Sequence, residues 1–149
     1  MRRALALADE ASARGEVPVG AVVYSTTTGT VLSEAANTRE RDRNPAGHAE
    51  FTAILKACTT RGDWRLNDCS LAVTLEPCPM CAGLLVNARV GRLVYAAADP
   101  KAGAVRSLFR LADDPRLNHR CEILPGVLQE EAAQRLTAFF KTLRQRNKD

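Results

Sequence analysis

Helix-like and strand-like apolar periods alternate along this chain, and that alternation constrains the fold more than any other feature. "RRALALADEASARG" repeats at helical spacing and is ended by Gly15. "VPVGAVVYS" and "GTVLSEAAN" read as strands joined through the turn-rich "STTTG" as a hairpin. "AEFTAILKACTTRG" places Phe51, Ile54, Leu55 and Cys58 on one helical face and stops at Gly62. The later segments "CSLAVTLE", "CPMCAGLLVNAR", "GRLVYAA", "VRSLFRLA", "CEILPG" and "VLQEEAAQRLTAFFKTLRQRN" predict strand, helix, strand, helix, strand and helix. Helices between successive strands are crossovers, which make those strands parallel. The expectation is a mixed five-stranded sheet with helices on both faces, formed by a single domain over residues 1–149.

The five cysteines, Cys58, Cys69, Cys78, Cys81 and Cys121, are an odd number in a chain without an apparent export signal. This favours free thiols or metal ligands over a disulfide framework. Cys58 falls in a helical apolar pattern and Cys121 opens "CEIL", so both are expected in the core; Cys69 follows the turn-like "LNDCS". No apolar run approaches the roughly 20 residues of a membrane span, so no membrane partner is expected and the expected compartment is the cytoplasm. The net charge of +4 is gathered at one end: Arg135, Lys141, Arg144, Arg146 and Lys148, less Asp149, equal the whole excess. A basic terminal helix is either a phosphate footprint or a solvated face.

Two short stretches carry chemistry, "GHAEF" around His48 and "LEPCPMCAG" around Cys78 and Cys81. Both fall where a loop or strand enters a helix, and a helix start favours thiolates. Pro77 stands just before Cys78, where a missing N–H costs little, and the Cys-Pro-Met-Cys spacing puts both sulfurs on one side of a first turn. Taken alone, C-x-x-C leaves a redox pair, half of a structural zinc site or coincidence open. His48, Cys78 and Cys81 together make three ligands and leave a fourth tetrahedral position for water, the arrangement of catalytic zinc. Glu50 is then available to move protons. A closed structural site would draw its fourth ligand from His119, Cys58, Cys69 or Cys121. H-A-E followed by P-C-x-x-C is the signature of zinc deaminases. Residues two apart on a helix diverge, so His48 must stand at the very start of its helix for Glu50 to share the site.

Beyond that signature, "GEVPVGAV", "TLEPCPMCAG", "GRLVYAAADPKAGA", "LNHR" and the closing helix resemble the bacterial tRNA-specific adenosine deaminases of the cytidine deaminase superfamily nearly end to end. The resemblance implies a three-layer α/β/α sandwich of cytidine deaminase type, a homodimer, one zinc ion per chain held by His48, Cys78 and Cys81, and Glu50 as proton shuttle. The implied reaction converts the wobble adenosine of a tRNA anticodon stem-loop to inosine. The base leaves its stack, water activated by the metal attacks ring carbon 6, and ammonia departs. Asn37 matches an asparagine that hydrogen-bonds the purine edge, although its residue type equally suits the end of a strand. Asp99 and Lys101 fall in a loop near the flanking nucleotide and phosphate, and His119 is placed near the RNA. No DNA partner is expected. Two alternatives remain open: a zinc deaminase of free guanine, cytosine or nucleosides, and a non-catalytic RNA-binding module stabilised by zinc.

Overall fold

An unbroken run of serine, threonine and glycine, Ser25 to Thr30, turns the chain back on itself and sets the first hairpin: β1 (Gly20–Ser25) pairs antiparallel with β2 (Val31–Ala36). The computed structural model describes residues 1–148. Helix α1 (Arg2–Ala13) precedes the hairpin, and α2 (Ala49–Arg61), β3 (Cys69–Leu75), α3 (Pro79–Asn87), β4 (Arg92–Ala97), β5 (Glu122–Leu124) and α4 (Gln129–Arg146) follow it. The strand order is β2-β1-β3-β4-β5. β1 is antiparallel to β3, whereas β3, β4 and β5 run parallel. The sheet is therefore mixed and five-stranded, as the sequence predicts.

Helices cover both faces. On one, Ala21, Val23, Leu71, Val73, Leu93 and Tyr95 of the sheet form a core with Ala53, Ile54 and Ala57 of α2 and Leu85 of α3. On the other, Leu5 of α1 and Ala132 of α4 pack with Ala96 and Ala97 of β4. The central strand β3 is buried along Cys69–Thr74 on both faces, and its two polar residues are satisfied there, Ser70 by the Thr26 hydroxyl and Thr74 by the Gly20 N–H. Gly62 ends α2 in the left-handed conformation, at φ 74°. Cys69 and Cys121 are buried and Cys58 is half-buried, its thiol donating to the Trp64 carbonyl at 3.5 Å. Burial pushes all three thiols up, Cys121 to about 12, so they are unreactive packing residues. Among the described residues, no helix is long and apolar enough to cross a membrane.

The structure corrects two readings. Val17–Val19 precede β1 rather than belonging to it. The "VRSLFRLA" segment, Val105–Ala112, forms a series of turns, not a helix. Its N–H groups are taken elsewhere: Arg106 and Ser107 donate to the Glu76 carboxylate at 2.7 and 2.9 Å, Leu108 to the Gly103 carbonyl and Leu111 to the Ala104 carbonyl. Leu108 and Phe109 are exposed and only Val105 and Ala112, at the two ends of the segment, are fully buried, so the apolar burial is too sparse to drive helix formation. The β4–β5 crossover stays parallel all the same.

α1 reaches the sheet through alanines, with Ala4, Ala8 and Ala11 fully buried. A Cβ on Gly20 would lie 2.1 Å from the Ala4 carbonyl oxygen and 2.8 Å from the Ala8 nitrogen. Gly20→Ala is therefore expected to lower stability by about 1–3 kcal/mol through overpacking. Gly83 lies inside α3, and a Cβ there would meet nothing within 4 Å. Its substitution by Ala should gain about 0.5–1 kcal/mol. Urea denaturation of both variants measures the contrast.

Candidate active site

Two helices start at the same end of the sheet for a topological reason. α3 leaves the C-terminal end of β3, and α2, which leads into β3 from the other end, begins where β3 finishes. His48 is the N-cap of α2, in extended conformation (φ −82°, ψ 144°), and Cys78 is the N-cap of α3 (φ −73°, ψ 173°). Neither side chain caps its own helix, so both face across the gap. Cys81 follows in the first turn of α3. The proline at the first helical position is Pro79; Pro77 lies outside the helix and its carbonyl accepts the Ala104 N–H at 2.8 Å.

His48 Nδ1 lies 3.5 Å from the Cys78 sulfur and 3.5 Å from the Cys81 sulfur, and the three ligand atoms lie within 4.8 Å of one another. Tetrahedral zinc with ordinary Zn–N and Zn–S bonds separates nitrogen from sulfur by about 3.5 Å. The donor set and its spacing fit the ion. The Cys81 thiol and His48 hold Cys78 as a thiolate, with a pKa of about 4 against the opposing effect of burial. Cys81 is pushed up by the Cys78 thiolate and by burial, and Cys78 raises His48. A divalent cation relieves this crowding, because it takes the place of the remaining thiol proton.

Glu50 stands in the first turn of α2, almost wholly buried, and outside the ligand set. Burial pushes its carboxyl up; a backbone N–H and His48 pull it back, and Cys78 pushes it further up. A carboxyl raised toward neutrality beside a metal site is suited to taking and giving protons. The extended conformation of His48 meets the requirement that it precede the helix proper.

Asn37 follows β2 and is buried, with Nδ2 donating to the Val17 carbonyl at 3.2 Å and Oδ1 accepting the Arg39 N–H at 3.1 Å. Asp99 shapes its own loop, Oδ1 accepting the N–H groups of Lys101 and Ala102 at 3.0 and 3.2 Å. Lys101 is exposed. His119 lies elsewhere: its Nε2 is 2.7 Å from the Val90 carbonyl oxygen, beyond the C-terminus of α3, whereas the ligands sit at that helix's N-terminus. Within one chain it anchors the segment before β5 and does not join the cluster around His48. The basic excess of the last helix also divides. Arg135 pairs with Asp9 of α1 at 2.7 Å and is part of the α1–α4 contact. Lys141, Arg144, Arg146 and Lys148 are exposed and make no ion pair among the described residues; Asp149, counted in the charge balance, lies outside them.

Sequence reasoning missed two buried carboxylates. Glu76 accepts the N–H groups of Asp99, Arg106 and Ser107 and the Ser107 hydroxyl. Burial alone would raise its pKa, but these donors lower it. Gly103 must be glycine beside it, since a Cβ there would lie 1.8 Å from the Glu76 carboxylate. Glu16 accepts the N–H groups of Glu40 and Arg41. The available signal was an acid set inside an otherwise apolar stretch, "GEVPVG" and "TLEPC", with no base at helical spacing.

Residues 1–97 match the cytidine and deoxycytidylate deaminase zinc-binding region. The chain is 44% identical over 148 residues to the tRNA-specific adenosine deaminase of Bacillus subtilis strain 168, covering 99% of this chain and 91% of that protein. A structure from studies of A-to-I editing by tRNA:A34 deaminases at the wobble position of transfer RNA superposes with a TM-score of 0.86 at 40% identity, covering 91% of this chain and 97% of that one. A guanine deaminase from Bacillus subtilis is more distant, with a TM-score of 0.63 at 32% identity, covering 97% and 90%.

Cys78→Ala removes one of three ligands and is expected to weaken zinc binding by more than the roughly 10–100-fold that loss of an outer-shell partner costs. Metal analysis after dialysis and thermal denaturation read the effect. Cys121→Ala, which empties a buried packing site, should keep its zinc and lose only about 1 kcal/mol of stability.

Proposed function

The chain belongs to the tRNA-specific adenosine deaminases within the cytidine and deoxycytidylate deaminase zinc-binding family, and from that membership we propose that it hydrolytically deaminates the wobble adenosine of a tRNA anticodon to inosine. It does so as one zinc-dependent domain with one ion per chain, working as a homodimer in the cytoplasm. The observation that carries the chemistry is the meeting of His48, Cys78 and Cys81 with a buried, non-ligating Glu50 beside them.

His48, Cys78 and Cys81 would hold the zinc ion, which would supply a Lewis acid able to bring the pKa of water close to neutral pH. Glu50 accepts a proton from the attacking water, delivers it to the purine ring nitrogen, and afterwards moves the second proton to the departing amino nitrogen. Water and adenosine are consumed, and ammonia and inosine leave. Its raised pKa suits both directions of transfer. Asn37 presents an amide N–H and a carbonyl lone pair to the purine edge. Asp99 shapes the loop beside the flanking nucleotide, and Lys101 offers a cation to its phosphate. The exposed Lys141, Arg144 and Arg146 of α4, with Lys148 just beyond its end, extend that phosphate contact, while His119 enters as an internal anchor. Leu108, Phe109 and Leu117, exposed on one segment, support a partner subunit as their cover.

The likeness to a guanine deaminase keeps a free purine as the competing substrate. The stronger likeness, at 44% identity, favours RNA, and so does the basic end of α4. Mass measurement of inosine formed in anticodon stem-loops, set against turnover of free guanine and adenosine, tests the choice; efficient turnover of free guanine with none of the stem-loops would reverse it. Glu50→Ala is expected to retain zinc and lose about 10²–10⁴ in kcat, read by metal analysis and single-turnover assay. Each single-stranded phosphate neutralised contributes about −0.7 to the slope of log affinity against log salt. Neutralising Lys141, Arg144, Arg146 and Lys148 together should flatten that slope for stem-loop binding and leave zinc content unchanged.

A further inference from the structure

Glu16 stands between α1 and β1, far in sequence from the metal cluster, and is 2% exposed. A carboxylate buried this deeply needs partners, and its partners are backbone groups. Oε1 accepts the Arg41 N–H at 2.7 Å and Oε2 the Glu40 N–H at 3.1 Å. The neighbouring residues bind the same stretch again. The Val17 carbonyl accepts Asn37 Nδ2, and the Val19 carbonyl accepts the Asn37 backbone N–H at 3.0 Å. Residues 16–19 therefore hold residues 37–41 from outside.

The held segment opens the loop that runs from Asn37 to His48. That loop is closed across its base, where the Thr38 N–H donates to the Gly47 carbonyl at 2.9 Å. It is tight there, since a Cβ on Gly47 would lie 3.1 Å from the Arg39 Cα. The proposed purine-reading residue and the metal-binding imidazole are thus the two ends of one pinned loop.

A primary amide has two N–H donors and two acceptor lone pairs. In Asn37 the Val17 carbonyl takes one donor and the Arg39 N–H fills one lone pair. One donor and one acceptor remain, and the two internal bonds fix which side of the amide is which. Paired recognition of a base edge requires that fixed polarity, because an amide free to flip presents it reversed half the time. The Arg39 N–H keeps its place only while the following turn keeps its shape, and Glu16 fixes that turn by binding the next two N–H groups, those of Glu40 and Arg41.

We infer that Glu16 is a positioning residue for purine recognition, acting through the Arg39–Arg41 turn on the amide of Asn37. This inference rests on the proposed reading of Asn37 as the residue that meets the purine edge. A purely structural Glu16 would lower stability and affect every property alike. One acting through Asn37 loses its influence when Asn37 has no amide.

The test is a double-mutant cycle of Glu16→Gln and Asn37→Ala on the zinc-loaded protein, with an anticodon stem-loop as substrate and kcat/KM as the readout. Glu16→Gln, which retains the shape and one acceptor, is expected to lower kcat/KM about tenfold with wild-type zinc content, and to cost less than about twofold in the Asn37→Ala background. The same fold loss in both backgrounds, or no loss in either, overturns the inference. A substrate-independent measurement runs beside it: the Asn37 side-chain amide should exchange slowly with solvent in the wild type and faster in Glu16→Gln, while core amides stay protected. Unchanged Asn37 exchange overturns the positioning role even if turnover falls. Wild-type protein that forms no inosine in any stem-loop refutes the substrate reading instead, a result visible before any variant is made. Should Glu16→Gln fail to fold, Glu16→Asp, which withdraws the carboxylate by one methylene, takes its place in both measurements.

Discussion

His48 Nδ1 held 3.5 Å from each of two sulfurs is the arrangement on which the remaining structure converges. It requires the N-termini of α2 and α3 to lie side by side at one end of the sheet. That requirement is met by the order of elements: α2 enters β3 from one end and α3 leaves it at the other. It also uses the positive ends of two helices, which stabilise thiolate sulfur before any cation is considered. The first turn of α2, which begins at His48, also places the buried Glu50 beside the candidate ligands.

The sheet fixes the helices, but the loops that complete the site have little apolar surface of their own to bury. Buried carboxylates take that role. Glu76 draws Asp99, Arg106 and Ser107 onto the segment that leads to Cys78, and Glu16 draws Glu40 and Arg41 onto the segment that leads from Asn37 to His48. A backbone N–H bonded to a charged acceptor is worth more than one bonded to a neutral carbonyl, and each acid satisfies several at once. This is how irregular backbone is held in place at the mouth of the site without regular secondary structure.

Charge is divided in a comparable way. Arg135 belongs to the fold through Asp9, whereas Lys141, Arg144 and Arg146 farther along the same helix, and Lys148 just beyond its end, face solvent. A single count of positive residues over the last helix therefore mixes an internal tie with a surface available to phosphate. The family likeness extends over 99% of the chain, so this division lies within the region of similarity and not in an appended tail.

The sequence by itself determined the alternation of elements, the parallel half of the sheet, and the coming together of His48, Cys78 and Cys81, because apolar period and ligand chemistry are local properties written in residue type and spacing. Only the tertiary structure decided that Val105–Ala112 would be turns, that Arg135 would pair with Asp9, that His119 would bind the Val90 carbonyl, and that Glu16 and Glu76 would be buried. Apart from the Arg135 pair and the Ser107 hydroxyl on Glu76, the deciding partners are backbone N–H or carbonyl groups. Every residue carries a backbone carbonyl and all but proline an N–H, so no residue type announces which of them will be free to bond. Their availability is settled when strands and helices have used up the rest, and the acids then bind whatever donors the folded chain leaves unpaired.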